Sequence, residues 1–107
     1  MTEEYIQICF GIISQVGVAR SLYVEAVRKA RAGEFDAIEG LQKEANELFV
    51  AAQNVHLKLL QQEASGESVE VHLLLVHAED LLVTTETIKI LTEDTIELYR
   101  RTAKQDF

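Results

Sequence analysis

The stretch VEVHLLLVHAEDLLVTTETIKILTED, residues 69–94, decides the fold. Within it Val69, Leu73, Val76, Asp80, Val83, Thr87, Ile90 and Asp94 recur at steps of 4, 3, 4, 3, 4, 3 and 4, the period of a helix that packs along one seam. Leu74, Leu81, Ile88, Leu91 and Leu98 form a second stripe beside it. Two apolar faces imply that this helix is the most enclosed in the chain, with one face on its own subunit and the other on a further surface.

Working outward, Ala64-Ser65-Gly66-Glu67-Ser68 reads as a tight connection, with Gly66 as a helix cap and Ser68 as a candidate N-cap. Before it, Ile38, Leu41, Ala45, Leu48, Ala52, Val55 and Leu59 form another heptad-like seam, broadened by Phe49. Asp36-Ala37-Ile38-Glu39 has the spacing of a capping box and predicts the start of that helix. Gly33 separates it from a first helix, whose apolar positions are Ile6, Cys9/Phe10, Ile13, Val16/Gly17, Val24 and Val27. Arg28, Lys29 and Arg31 suit the C-terminal end of that helix dipole. The expected architecture is all-α: three long antiparallel helices at about 3–32, 36–64 and 68–102, in a single domain spanning 1–107. Rods of roughly 45 Å have a poor ratio of core to surface, which favours self-association.

Composition agrees. The 107 residues are 48% apolar and contain no proline, so nothing interrupts long helices. The net charge of -8 argues against nucleic acid or anionic lipid as a partner, because phosphate binding needs basic clusters. Cys9 is the only cysteine and forms no internal disulfide. The acidic start Met1-Thr2-Glu3-Glu4 does not resemble a secretory signal, and no uninterrupted apolar run approaches the roughly 18 residues of a membrane span. The expectation is a soluble protein of the reducing cytoplasm.

Among the histidines, His56 and His72 flank their seams and read as half-exposed surface residues. His77 differs, because it is a nitrogen base inside Leu73-Leu74-Leu75-Val76-His77-Ala78. It is either a satisfied core histidine or a functional one. Asp80, three positions on, lies one turn away on nearly the same face. A carboxylate there favours the charged imidazole and can fix its orientation, which helps a ring that exposes one nitrogen for attack. There is no Gly-rich phosphate loop and no H-E-x-x-H or C-x-x-C pattern, which argues against a stand-alone kinase or hydrolase. Asp80 also interrupts an apolar seam, where a carboxylate must be paired, protonated or bound to a cation. Either it has a local partner, or the seam faces a symmetry axis. In a parallel trimer three copies meet and their repulsion is relieved by protonation or by a hard divalent cation.

At these residues the chain resembles the enzyme IIA of the lactose/cellobiose class of the bacterial phosphoenolpyruvate-dependent sugar phosphotransferase system. The marks are Gly11 and Ala19-Arg20-Ser21 in the first helix, Ala32-Gly33-Glu34-Phe35 and Glu63-Ala64-Ser65-Gly66-Glu67 at the two turns, His77-x-x-Asp80-Leu81, and Ile96-Glu97-Leu98-Tyr99-Arg100. The family pattern at the site is approximately H-G/A-Q-D-H-L-M. The resemblance implies that His77 accepts a phosphoryl group from the carrier HPr and passes it to a cysteine of a IIB component, whose membrane partner IIC phosphorylates the sugar. It also implies a homotrimer in which Asp80 binds a divalent metal ion, magnesium, on the axis. Glu79 stands where the pattern has glutamine, and Leu81 where it has a second histidine. These departures motivate the alternative of a non-catalytic regulatory or interaction protein on the same fold, with His77 unused. The acidic charge is concentrated in the second and third segments, with five acids and no Lys or Arg between Glu67 and Glu86. Such a surface suits a partner with a positive face around a phosphohistidine.

Overall fold

The computed structural model describes residues 1–103 and consists of α1 (Glu3–Arg31), a 3-10 turn (Phe35–Ala37), α2 (Ile38–Ala64) and α3 (Leu73–Ala103), with no strand among the described residues. The rod measures 59 × 22 × 20 Å. The start of α1 meets the start of α3 through Tyr5 and His72, so α1 and α3 run parallel and α2 antiparallel to both.

Local chemistry sets most of the helix ends. The Thr2 hydroxyl accepts the Tyr5 N–H at 3.1 Å, and Glu3 and Glu4 sit in the first turn, where the dipole favours acids. Gly33 and Gly66 have φ of +79° and +99° and close α1 and α2 as expected. At each, the residue after the glycine donates back to a carbonyl five positions earlier, Glu34 to Lys29 at 2.9 Å and Glu67 to Gln62 at 3.2 Å, which satisfies carbonyls the helix leaves free. The capping box at Asp36 does not form. Asp36 lies inside the 3-10 turn, so its backbone is already helical where a cap residue should be extended, and no side chain caps that turn or α2.

The third helix starts at Leu73 and not near Ser68. The Tyr5 hydroxyl donates to the Glu70 carbonyl at 2.8 Å and receives the His72 N–H at 3.2 Å, so these backbone groups are committed before a helical turn can use them. The alternating Val69 and Val71 suit an extended segment, with Val69 leaning on the core and Val71 in solvent. The first helical bond then runs from the Val76 N–H to the His72 carbonyl at 3.1 Å. Tyr5→Phe is therefore expected to cost about 1–2 kcal/mol in denaturant titrations and to accelerate amide exchange at His72, because two backbone groups lose their partner.

The core also differs from expectation in one respect. The enclosed helix is α1, which packs against both α2 and α3, whereas α2 and α3 barely touch. Cys9, Ile12, Val16, Ala19 and Tyr23 of α1 meet Ala45, Phe49 and Ala52 of α2 and Leu75, Ala78 and Leu82 of α3. A second cluster, Ala26, Ala30, Ile38 and Ile96, closes the other end. Small residues at the contacts let the helix axes approach closely. Helix α1 is long enough, and over one window apolar enough at a mean hydropathy of 1.2, to cross a membrane, which the reading of uninterrupted runs did not anticipate. Its buried residues account for only part of that apolarity, since Phe10, Val18 and Val24 are apolar and exposed.

The face that α3 turns to its own subunit is Leu75, Ala78, Leu82, Thr85, Thr92 and Ile96. The seam read from the sequence points outward: Leu73 is 83%, Val83 61% and Ile90 53% exposed, and Leu91 and Leu98 of the second stripe are exposed too. The outward stripe carries larger apolar side chains, interrupted by Asp80, Thr87 and Asp94, whereas the inward one has no charge but includes an alanine and two threonines.

Candidate functional site

His77 and Asp80 share the outward face of α3, and both are exposed. The core reading of His77 is thereby excluded. No hydrogen bond or ion pair among the described residues involves the His77 ring or the Asp80 carboxylate, and the two do not bond to each other. Asp80 thus does not orient the imidazole within one chain, contrary to expectation. Only its backbone carbonyl is engaged, by the Thr84 hydroxyl at 2.7 Å. Asp80 also has no local partner, and its neighbours on the seam, Val76 and Val83, are apolar and exposed.

The other histidines are occupied. His72 contacts Glu70 through Nε2 at 3.0 Å and meets the Tyr5 ring edge-on at a centroid distance of 5.3 Å. His56, on α2, holds Glu79 of α3, Nε2 to Oε2, at 2.7 Å. Both rings are partly buried, as the sequence suggested, but nothing in the sequence pointed to the His56–Glu79 pair. It is the only side-chain hydrogen bond or ion pair that joins α2 to α3 among the described residues. Glu79 also faces Cys9, whose thiol pKa is pushed up first by burial and then by the carboxylate. Leu81, the second departure from the expected pattern, packs against the core cluster.

No group of three or more His, Cys, Asp or Glu side chains converges on one point among the described residues. The unpartnered Asp80 carboxylate is a hard oxygen donor, which fits a divalent cation when several copies contribute one each. A cavity of about 600 Å³ lies at the end of the rod between Tyr5, Leu59, Val69 and His72, and neither His77 nor Asp80 lines it. The His77 imidazole is exposed to solvent.

The arrangement is a small helical bundle with one exposed imidazole, His77, that has no side-chain partner among the described residues. Residues 7–100 match the family described as the lactose/cellobiose-specific IIA subunit of the PTS system. A lactose-specific EIIA component of Streptococcus mutans is 39% identical over 92% of this chain and 95% of its own length. A lichenan-specific phosphotransferase enzyme IIA component of Bacillus subtilis is 37% identical over 98% and 96%. The crystal structure of a cellobiose-specific enzyme IIA from Bacillus anthracis superposes with a TM-score of 0.90 at 36% identity, covering 98% of this chain and 96% of that one. The chain belongs to the lactose/cellobiose-specific IIA family of the sugar phosphotransferase system, and its role is that of a phosphoryl carrier in sugar uptake.

Proposed function

We propose that His77 is the carrier residue, accepting the phosphoryl group from phosphohistidine on HPr and passing it to a cysteine of a IIB component in the cytoplasm. The observation that carries this reading is the exposed His77 ring, free of partners within its chain. A lone-pair nitrogen of the neutral ring attacks phosphorus in line as the bond to the donor imidazole breaks and that ring takes back the electron pair. The N–H on the far nitrogen of His77 can then leave to solvent. Such transfer depends on positioning and charge stabilisation and not on side-chain acid–base chemistry. An exposed ring serves it well, because both the donor and the acceptor are proteins that must reach the same nitrogen.

We further propose a parallel homotrimer in which the outward seam of α3 faces the axis. Burial of Leu73, Val76, Val83 and Ile90 drives association. It brings three Asp80 carboxylates together, where a magnesium ion would offset their mutual repulsion. The two departures from the family pattern are absorbed inside the protomer, Leu81 by the core and Glu79 by His56, which favours an active carrier over a regulatory protein with an idle histidine. Incubation with phosphoenolpyruvate, enzyme I and HPr is expected to add one acid-labile phosphoryl group to the intact mass. An unchanged mass refutes the carrier role of this chain.

A further inference from the structure

We propose that the groove between α1 and α3 lined by Arg20, Ser21, Val24, Arg28 and Ile88 binds a small phosphate monoester, a molecule of the size of a sugar phosphate. The site is separate from the carrier histidine: His77 does not line the groove and lies roughly 16 Å before Ile88 along α3. Arg20, Val24 and Arg28 follow one another at four-residue steps, so they form one ridge of α1 with the valine between the two cations. Ile88, which packs against the core cluster, supplies the wall on α3. The cavity measures about 300 Å³, at the lower end of small-molecule sites.

Charge sets this groove apart. The chain carries a net charge of -8, and Glu4 and Glu70 line the cavity at the end of the rod, yet here there are two arginines and no carboxylate. Lys29 and Arg101 pair with Glu34 and Glu97. Neither Arg20 nor Arg28 makes a side-chain hydrogen bond or ion pair among the described residues, although Arg20 is half-buried. Holding a guanidinium partly out of water without a protein partner has a cost that an anion from outside offsets. Phosphate fits the donors, because each guanidinium is a planar fork that matches two phosphate oxygens. Two such charges balance the nearly two negative charges of a monoester. The Ser21 hydroxyl, which donates to the Gly17 carbonyl at 3.2 Å, adds a polar edge, and Val24 and Ile88 present apolar surface to the body of the ligand. Nucleic acid or an anionic bilayer would need a longer basic run and would meet the negative charge of the whole chain.

The test is titration of the isotopically labelled full chain at low salt, followed by amide chemical shifts, with glucose 6-phosphate, inorganic phosphate and glucose as probes. Glucose 6-phosphate is expected to give saturable shifts centred on residues 20–28 and 88. Inorganic phosphate should move the same amides with an affinity weaker by about three- to tenfold, since it has no body to cover Val24 and Ile88, and glucose should move none. Arg20→Gln and Arg28→Gln are each expected to weaken binding about tenfold with an unchanged helical spectrum. If Arg20→Gln does not fold, Arg28→Gln, at an exposed position, carries the test alone. Equal affinities for the two phosphates overturn the monoester assignment and leave a site for free phosphate. The site itself is overturned by the absence of saturable shifts, by binding that survives in the arginine variants, or by shifts centred on residues 75–81.

Discussion

Val83→Glu combined with Ile90→Glu is expected to turn the protein into a folded monomer. In a single chain these side chains are 61% and 53% exposed, so substitution removes little packing and stability should change by no more than about 0.5 kcal/mol per site. In the proposed trimer the same positions line the axis, and six carboxylates would have to be buried there without cations to pair them. Association has no means of absorbing that cost, since burial of each valine or isoleucine contributes only about 1.5–3 kcal/mol. Sedimentation should give one chain mass with an unchanged helical spectrum. Asp80→Leu should do the opposite: it removes the axial charge, leaves a more stable trimer and abolishes magnesium binding by calorimetry. A wild type that sediments as a monomer contradicts the assembly outright.

His77→Gln is expected to reduce phosphoryl acceptance to background while the melting temperature stays within a degree or two. The fold should not notice the change, because the ring is exposed and no described residue bonds to it. Glutamine keeps polarity and approximate size but has no lone-pair nitrogen able to displace the donor imidazole. A structural role for His77 predicts the reverse, lost stability with acceptance retained. His72→Gln serves as the control, since that ring is already engaged by Glu70 and Tyr5. It should be phosphorylated like wild type.

The parts of the molecule legible in the sequence are those where one physical demand acted alone. The seam of α2 from Ile38 to Leu59 is legible because all its apolar residues serve one interface within the chain. On α1 the sequence pattern picks out only Cys9 and Val16 of the core stripe and passes over Ile12, Ala19 and Tyr23. A helix gripped by two neighbours is apolar around much of its circumference, so its periodicity blurs. On α3 the most regular stripe is the outward one, and regular periodicity says that a face is covered without saying by what. The inward stripe, with Ala78, Thr85 and Thr92, hides because small and weakly polar residues fill a tight contact that larger ones would spoil.

The candidate site follows the same logic. His77 and Asp80 were visible because both lie on one helix, where spacing dictates a shared face. The pair of His56 and Glu79 spans 23 residues and two helices, so no spacing rule announces it. The late start of α3 was hidden for a similar reason: Tyr5, more than sixty residues upstream, occupies the backbone groups of Glu70 and His72.

The most direct test of the central claim is to locate the phosphoryl group after transfer from phospho-HPr, by fragmentation of peptides kept at neutral to basic pH. The chain has three histidines, and they fall at His56, His72 and His77. The account predicts an acid-labile phosphoryl group on the ring of His77 and on neither of the others; a group found on His56 or His72, or none on any histidine, contradicts it.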